Sequence, residues 1–303
     1  MYVPGFHQLN DVVSCCLWER IHCDSLTGTV DSLTGTAVDS LNLRGDFGEG
    51  GSYLVGNEVN SSLAELRHLK YLDLSQNFYQ GSRIPEFIGS FKELRYLNLS
   101  YACFQGIIPP HIGNLSNLKV LDLSSNYNLT SDDMSWTFGL PSLKHLDLSW
   151  VDLGGAKNMD MMLYNLCSLK ELSLRGCGLS NVHLGPSLNS SRILANIKRL
   201  DLGSNSFKGP LPGFFRNMTS LTFLDLSKFN LSLAWNFANV LNMIRSLSEL
   251  HLSLCGLDKT FLSSAHFNIT MLSNIQHLDL SWNSIEGIFP SVFSNMSSLR
   301  VHL

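Results

Sequence analysis

The sequence predicts an α/β solenoid, a right-handed coil of short repeats with a parallel β-sheet on its concave face and short helical turns on its convex face. Leucine fills 54 of the 303 positions, and the pattern LxxLxLS recurs through most of the chain. Charged residues make up only 15% of the chain, against roughly 25% in ordinary globular domains. A fixed period of about 20 to 50 residues indicates stacked repeats rather than one compact core.

The strand of each repeat follows from the leucine pattern. Alternate leucines of LxxLxL point to one side of a short strand, and the residues between them point to the other side. One such strand buries nothing by itself, so the copies must stack into a parallel sheet over a continuous leucine core. Residues 37–44 (AVDSLNLR) fit a cap strand before the first full copy. The copies, about 25.6 residues apart on average, begin at Leu69, Leu94, Leu118, Leu143, Leu169, Ile197, Leu221, Leu247, Ile275 and, in clipped form, Leu299.

The turn after each strand is the next element. A buried side chain at this turn must satisfy backbone groups that the strand no longer pairs. Four copies hold asparagine there, at Asn77, Asn126, Asn205 and Asn283, and two hold a small substitute, at Cys177 and Cys255. The series is broken at Ala102, Val151 and Phe229. We expect irregular backbone at those three turns.

The outer part of the repeat is marked by a glycine and a following proline. Four copies share this feature, at residues 81–85, 106–109, 209–212 and 287–290. The glycine relieves the turn and the proline blocks further hydrogen bonding, which predicts an extended segment with a second short edge strand. The segments after the proline, 86–93 (EFIGSFKE) and 111–117 (HIGNLSN), predict single helical turns. These features together resemble the plant-specific leucine-rich repeat.

The cysteines fall into two groups. Residues 14–24 (SCCLWERIHCD) resemble the cap that precedes the repeats in plant receptor-like proteins and polygalacturonase inhibitors. The resemblance implies a disulfide between Cys16 and Cys23 that seals the end of the leucine core, and it leaves Cys15 without a partner. The cysteines within the repeats are expected to be buried free thiols. A metal cluster is the alternative, and it is disfavoured because no CxxC or histidine pair accompanies these cysteines. These thiols are Cys103, Cys167, Cys177 and Cys255.

The predicted organisation has three parts. Residues 1–36 form a partial N-terminal cysteine cap, residues 37–68 the cap strand and first repeat region, and residues 69–303 about nine repeats with a truncated tenth. The chain stops within a strand motif (LRVHL). We therefore expect an uncovered leucine edge and poor solubility of the isolated chain.

N-x-[ST] sequons are about twice as frequent as chance gives, although the repeat consensus itself supplies some of them. Together with the implied disulfide they favour an extracellular setting. A glycan on a concave strand, as at Asn98, would obstruct that face. The sequons are Asn60, Asn98, Asn114, Asn128, Asn189, Asn217, Asn230, Asn268 and Asn295.

The sequence favours a binding protein over an enzyme. The net charge of -4 argues against nucleic acid as a partner. No apolar run of about 18 residues could cross a membrane, and the first residues show no secretory signal. HExxH, P-loop and GxSxG motifs are absent from the sequence, so we expect neither a catalytic residue nor a metal or cofactor.

A surface therefore remains as the candidate site. Outward-pointing strand residues form columns across the stacked repeats, and exposed aromatic rings in such columns are typical of binding hot spots. An equally weighted interpretation is that the rings pack against one another down the column. Neighbouring basic and acidic columns are interpreted as stripes that keep the sheet soluble. The candidate ligand-binding residues are Tyr71, Tyr96, Tyr101, His145, Trp150, Phe223 and Trp282.

As a whole, the chain resembles the N-terminal repeat portion of plant leucine-rich-repeat receptor-like proteins, nearest in style to receptors for fungal xylanase elicitors. The resemblance implies an ectodomain on the outer side of the plasma membrane that binds a microbial protein or peptide and signals through a partner receptor kinase. Two alternatives stay open. One is a secreted protein similar to polygalacturonase inhibitors, and the other is a truncated, non-functional receptor fragment.

Overall fold

The computed structural model describes residues 21–24, 37–184, 193–258, 274–285 and 299–302. Twelve of the strands in this part of the chain form one sheet, in the order β1-β2-β3-β4-β6-β8-β9-β10-β11-β12-β13-β14. The strands are β1 (Ile21–Asp24), β2 (Ala37–Asn42), β3 (Tyr71–Asp73), β4 (Tyr96–Asn98), β5 (Gln105–Ile107), β6 (Val120–Asp122), β7 (Asn128–Thr130), β8 (His145–Asp147), β9 (Glu171–Ser173), β10 (Arg199–Asp201), β11 (Phe223–Asp225), β12 (Glu249–His251), β13 (His277–Asp279) and β14 (Arg300–His302).

Each repeat contributes one strand of three residues, the third to fifth positions of LxxLxL. Successive strands are parallel and in register, so that Tyr71 pairs with Tyr96 and Leu72 with Leu97. Among the described strands, β1 alone runs antiparallel, as a hairpin partner of β2. The three leucines of the motif are buried, as Leu69, Leu72 and Leu74 illustrate, and they belong to one continuous core. The predicted solenoid with its parallel sheet is therefore confirmed.

The turn asparagines satisfy the backbone as the sequence predicts. Asn126 is fully buried, and its amide nitrogen donates to the carbonyls of Leu99 and Leu123, each at 2.9 Å. Its carbonyl oxygen accepts from the N–H groups of Ala102 and Phe104, at 3.3 and 2.9 Å. Each such asparagine thus ties its own turn to that of the preceding repeat.

The three turns without asparagine or cysteine behave differently from one another. At Val151 and Phe229 the preceding residue has the same left-handed conformation as in the other repeats, with φ of 66° at Trp150 and 67° at Lys228. The expectation of irregular backbone was wrong at these two turns, where the side chains of Val151 and Phe229 are both buried. At Ala102 a second left-handed residue follows, Cys103 with φ of 57°, and the expectation is confirmed.

The outer segments that the structure describes are extended and then helical, as predicted, whereas residues 287–290 lie outside the described residues. Gly81, Gly106 and Gly209 have φ near 80°, a conformation that favours glycine. A second, two-stranded sheet joins β5 to β7, and isolated bridges continue it at other repeats. The convex side carries two short α-helices, α1 (Met159–Asn165) and α2 (Phe237–Leu241). Single 3₁₀ turns lie at Ser61–Glu65, Glu86–Ser90, Pro110–Asn114, Ser135–Gly139, Asn181–His183 and Gly213–Asn217.

The cysteines within the repeats are free thiols, but only two of them are buried. Cys177 and Cys255 take the asparagine position, and burial raises the pKa of each thiol to about 12. Cys103 and Cys167 are exposed, so the expectation of burial was wrong for them. Cys103 lies one residue beyond the buried turn position, and Cys167 follows α1 on the convex side. The implied Cys16–Cys23 disulfide lies outside the side chains that the structure describes.

None of the helices in the described ranges combines the length and the apolar content that crossing a bilayer requires.

Candidate ligand-binding face

Two columns of side chains project from the concave side of the sheet. They come from the third and fifth positions of the motif, on either side of the buried leucine. Arg300 and His302 of the clipped copy are assigned to these columns by their pairing with His277 and Asp279. The third-position column is Tyr71, Tyr96, Val120, His145, Glu171, Arg199, Phe223, Glu249, His277 and Arg300. The fifth-position column is Asp73, Asn98, Asp122, Asp147, Ser173, Asp201, Asp225, His251, Asp279 and His302. With strands about 4.8 Å apart, the ten strands make a face roughly 45 Å long.

The fifth-position side chains have a structural task in seven repeats. The carboxylate of Asp73 accepts from the N–H of Ser75 at 2.9 Å and from its hydroxyl at 2.6 Å. Asn98 makes the same bonds to Ser100, and the N–H bond recurs at the later aspartates. One carboxylate oxygen is therefore committed to the turn. The acidic column therefore fixes the strand ends.

The first strands of the face carry an aromatic pair. The rings of Tyr71 and Tyr96 stack with their centroids 4.2 Å apart and their planes 7° apart. The Tyr71 hydroxyl donates to Asp73 Oδ2 at 3.4 Å. Burial, with the neighbouring Tyr96 and Asp73, raises the pKa of Tyr71. The two rings therefore pack against each other down the column, as the second interpretation of the aromatic residues predicts.

A hollow of about 300 Å³ lies in the middle of the face, across β6 to β11. His145 Nδ1 lies 3.1 Å from Glu171 Oε2 at its rim. Burial raises the pKa of Asp147 in its floor, and the charge of Asp122 adds to the effect. The guanidinium of Arg199 covers the ring of Phe223, 3.8 Å from its centroid. His145 and Phe223, both predicted, are thus brought to the same hollow.

An ion-pair network that the sequence reasoning missed borders the hollow. The seventh position of the motif is serine in seven repeats but arginine at Arg175 and glycine at Gly203. Arg175 Nη1 lies 2.5 Å from Asp225 Oδ2 and 3.6 Å from Asp201 Oδ2. A Cβ at Gly203 would stand 2.7 Å from that nitrogen, so the glycine makes room for the guanidinium. Burial, with the charge of Asp225, raises the pKa of Asp201 to about 6.

A second histidine lies against carboxylates further along the face. His251 Nε2 is 2.9 Å from Glu249 Oε1, and its Nδ1 is 3.6 Å from Asp279 Oδ2. The ring of Phe223 lies beside it, with centroids 5.2 Å apart. Two imidazoles of the columns, those of His145 and His251, therefore sit within ion-pair distance of acidic side chains.

The remaining predicted aromatics occupy a different surface, the turn column, formed by the eighth position of the motif. All nine residues there have positive φ, which turns their side chains away from the core. Tyr101 is 53% and Trp282 80% exposed, whereas Trp150 is 37% exposed. Trp150 lies on Gly176, where a Cβ would meet its ring at 2.4 Å, and it neighbours Tyr127 at 6.2 Å. The seven candidate residues are thus divided between two surfaces.

The sequons differ in accessibility. Asn98 is 7% exposed, and its amide nitrogen donates to the Tyr96 hydroxyl at 3.3 Å, so the folded chain disfavours a glycan there. Asn217 is half-buried, and Asn60, Asn114, Asn128 and Asn230 are exposed. Asn189, Asn268 and Asn295 lie outside the described residues. The occupancy of these sites stays a prediction.

The chain has recognisable relatives. A leucine rich repeat family model matches residues 92–153, and a second model of this repeat matches residues 196–218 and 274–296. Receptor-like protein EIX1 of Solanum lycopersicum is 37% identical over 222 residues, which cover 71% of this chain and 21% of that protein. Receptor-like protein 6 of Arabidopsis thaliana is 32% identical over 248 residues, which cover 78% of this chain and 23% of that protein.

Solved structures share the architecture. The ectodomain of the Arabidopsis receptor kinase HAESA, in complex with an N-terminally extended IDA peptide hormone, superposes with a TM-score of 0.60 at 23% identity, over 95% of this chain and 56% of that one. The mouse RP105/MD-1 complex gives a TM-score of 0.61 at 22% identity, over 91% of this chain and 44% of that one. At this identity the likeness concerns the fold.

The fold and the family models define the class, a leucine-rich-repeat solenoid. Within that class the chain belongs with the plant receptor-like proteins, to which it is homologous over 71% to 78% of its length. It spans about a fifth of the length of these curated relatives, 21% to 23%.

Proposed function

We propose that this repeat array is the extracellular recognition module of a cell-surface receptor-like protein in plant defence, and that it binds a microbial protein or peptide elicitor. The third-position column carries the proposal. Its residues are held in register by the parallel sheet, and they change from repeat to repeat among tyrosine, histidine, glutamate, arginine and phenylalanine. The fifth position, in contrast, serves the turn in most repeats. A fixed scaffold with one chemically mixed column that has no task in the turn suits recognition of a partner surface.

Comparison with solved ectodomains supports a peptide or protein ligand and a kinase partner. HAESA has been solved with the peptide hormone IDA and the co-receptor SERK1. By analogy, the ligand would bind on the concave or lateral surface of this chain, and a partner receptor kinase would carry the signal at the plasma membrane. The mechanism is differential binding: the ligand stabilises the complex with the co-receptor. No chemical step, metal or cofactor is part of it.

Binding to a fungal endoxylanase tests the proposal, since the resemblance is nearest to receptors for xylanase elicitors. The full chain, secreted from plant cells, would be immobilised and titrated with the xylanase by biolayer interferometry. Replacing Phe223 by alanine should weaken binding about tenfold, because it removes a central ring and the support of Arg199. Tyr164→Ala is the matched control, since Tyr164 is an exposed aromatic residue, at 42%, on the convex helix α1.

The outcome also separates the alternatives. A secreted inhibitor would bind a fungal endopolygalacturonase instead and would reduce its hydrolytic rate. A non-functional fragment would fold and bind neither enzyme. Either result would contradict the receptor proposal, as would equal effects of Phe223→Ala and Tyr164→Ala on xylanase binding.

A further inference from the structure

The concave face concentrates negative charge. Its two columns and the adjoining Arg175 hold eight carboxylates against three guanidinium groups, while the whole chain has a net charge of -4. With neutral histidines the face therefore carries five net negative charges, one more than the chain as a whole. The carboxylates are Asp73, Asp122, Asp147, Glu171, Asp201, Asp225, Glu249 and Asp279. The guanidinium groups are Arg175, Arg199 and Arg300.

The positive side chains near this face leave most of that charge uncompensated. Arg175 neutralises part of the Asp201–Asp225 pair, and Arg199 lies over an aromatic ring. Along the strand starts, the basic stripe runs from Lys70 to Lys198 and continues with Thr222, Ser248 and Gln276. Within the described ranges, Asp122 and Asp147 have no lysine, arginine or histidine nitrogen within 4.0 Å. On β8 to β13 alone, the columns hold six carboxylates against the guanidinium groups of Arg175 and Arg199. This part of the face is therefore complementary to a basic partner.

Histidines interrupt the acidic columns at four positions, His145, His251, His277 and His302. Histidine is the side chain whose charge changes between pH 5 and 8. Protonation of all four would remove most of the negative charge of the face. Each proton would also favour a pair within the face, such as His145 with Glu171, over a contact with a ligand.

The pairing of the strands determines which groups of the two columns face one another. His145 faces Val120 and Asp122 on β6, Glu171 on β9 and Asp147 on its own strand. His251 faces Phe223 and Asp225 on β11, His277 and Asp279 on β13, and Glu249 on its own strand. His277 also faces Arg300 and His302 on β14. Asp201 faces Ser173 and Glu171 on β9, Phe223 and Asp225 on β11, and Arg199 on its own strand. Arg175, two residues beyond the end of β9, also faces it.

We propose that the concave face from β8 to β13 binds an extended, lysine- or arginine-rich segment of a protein partner, and that weakly acidic pH releases it by protonating the face. Six strands at about 4.8 Å span roughly 24 Å, which an extended segment of about seven residues covers. This inference rests on the proposed function, because it names the chemistry of the elicitor that the same face would take.

The test uses the full chain and the peptide Lys-Ser-Lys-Ser-Lys-Ser-Lys, with blocked ends and a fluorophore, in anisotropy titrations. Affinity at pH 7.5 should exceed that at pH 5.5 about tenfold, because several charge contacts, each worth about a twofold to threefold change, reverse together. High salt should weaken binding at pH 7.5. The peptide in which glutamate replaces lysine should not bind at pH 7.5.

The histidines are tested by a matched pair of double variants. H145Q/H251Q removes the two imidazoles that lie against carboxylates on the face, and the ratio between the two pH values should fall to about twofold. H68Q/H111Q removes two imidazoles that also lie against glutamates, Glu93 and Glu86, but away from the face, and should keep the full ratio. If H145Q/H251Q does not fold, the NMR chemical shifts of the imidazole protons, followed in the wild-type chain as peptide is added, provide the same information.

Three results would overturn the inference: affinity independent of pH, equal binding of the glutamate peptide, or loss of the pH ratio in H68Q/H111Q but not in H145Q/H251Q. Xylanase binding by the same variants distinguishes this failure from failure of the proposed function. If xylanase binds and the lysine peptide does not compete with it, the inference about a basic segment is refuted and the proposed function is not. If the lysine peptide binds as described and xylanase does not bind, the proposed xylanase recognition is refuted and the inference is not.

Discussion

Replacing Gly203 by alanine tests whether the Arg175 network depends on the missing side chain. The new Cβ would stand 2.7 Å from Arg175 Nη1 and 3.0 Å from Asp225 Oδ1. The guanidinium must then shift, which weakens its ion pair with Asp225, whose side chain is 8% exposed. Hydrogen bonds to charged groups contribute about 1.5–3 kcal/mol, and Gly→Ala returns about 0.4–1 kcal/mol through the unfolded chain. We expect G203A to lower the free energy of unfolding by about 1–2 kcal/mol.

A double-mutant cycle with Arg175→Gln isolates this mechanism. In the R175Q background G203A should cost less than about 0.5 kcal/mol, because the group that it displaces is already gone. Urea denaturation followed by tryptophan fluorescence gives the midpoints. Gly155→Ala is the control, since a Cβ at Gly155 meets nothing within 4 Å. An equal cost of G203A in both backgrounds would refute the role given to Arg175.

Three further predictions concern single side chains. Burial and the charge of Asp225 raise the pKa of Asp201 to about 6, whereas an aspartate in the unfolded chain has a pKa of about 3.9. The contribution of Asp201 to stability therefore falls as pH rises from about 4 to 6. D201N should flatten the measured dependence of stability on pH in this range. N126A should lower the free energy of unfolding, measured by urea denaturation, by about 3–4 kcal/mol, because buried backbone groups lose their partners. N117A removes one exposed hydrogen bond to Lys92 and should lower it by less than about 1 kcal/mol. Y79F should leave the thermal midpoint unchanged or raise it, because the buried Tyr79 hydroxyl has no hydrogen-bond partner in the described structure; a drop would point to a partner such as buried water.

The strand positions could be predicted because their signal is local. A leucine at the fourth position of each motif must be buried, and the fixed spacing then sets the register of every strand. The turn asparagines were predictable for the same reason, since each one bonds to groups within its own turn and the preceding one. The outer strands were predicted less fully, because the pairing of β5 with β7 depends on how neighbouring turns diverge.

The Arg175 network could not be derived in advance, although the sequence contains a signal for it. Two adjacent repeats depart from serine at the seventh position, one to arginine and one to glycine. Recognising that these departures compensate requires knowing that the arginine side chain crosses the next strand to reach Asp225. Such a contact spans 50 residues of sequence, and neither composition nor periodicity reports on it.

The aromatic candidates show why position within the motif decides what a residue can do. The fifth position is held by its bond to the turn, and the eighth position is held by a left-handed backbone in every repeat, which fixes Tyr101 and Trp282 outward. A non-glycine residue in that conformation costs about 1–2 kcal/mol, so the turn maintains it only because neighbouring repeats impose it. The third position has neither constraint, and its side chains pair with one another instead, as Tyr71 does with Tyr96 and His145 with Glu171. A ligand on this face must therefore replace contacts that already exist, and its affinity is set by how much better it satisfies these groups than they satisfy each other.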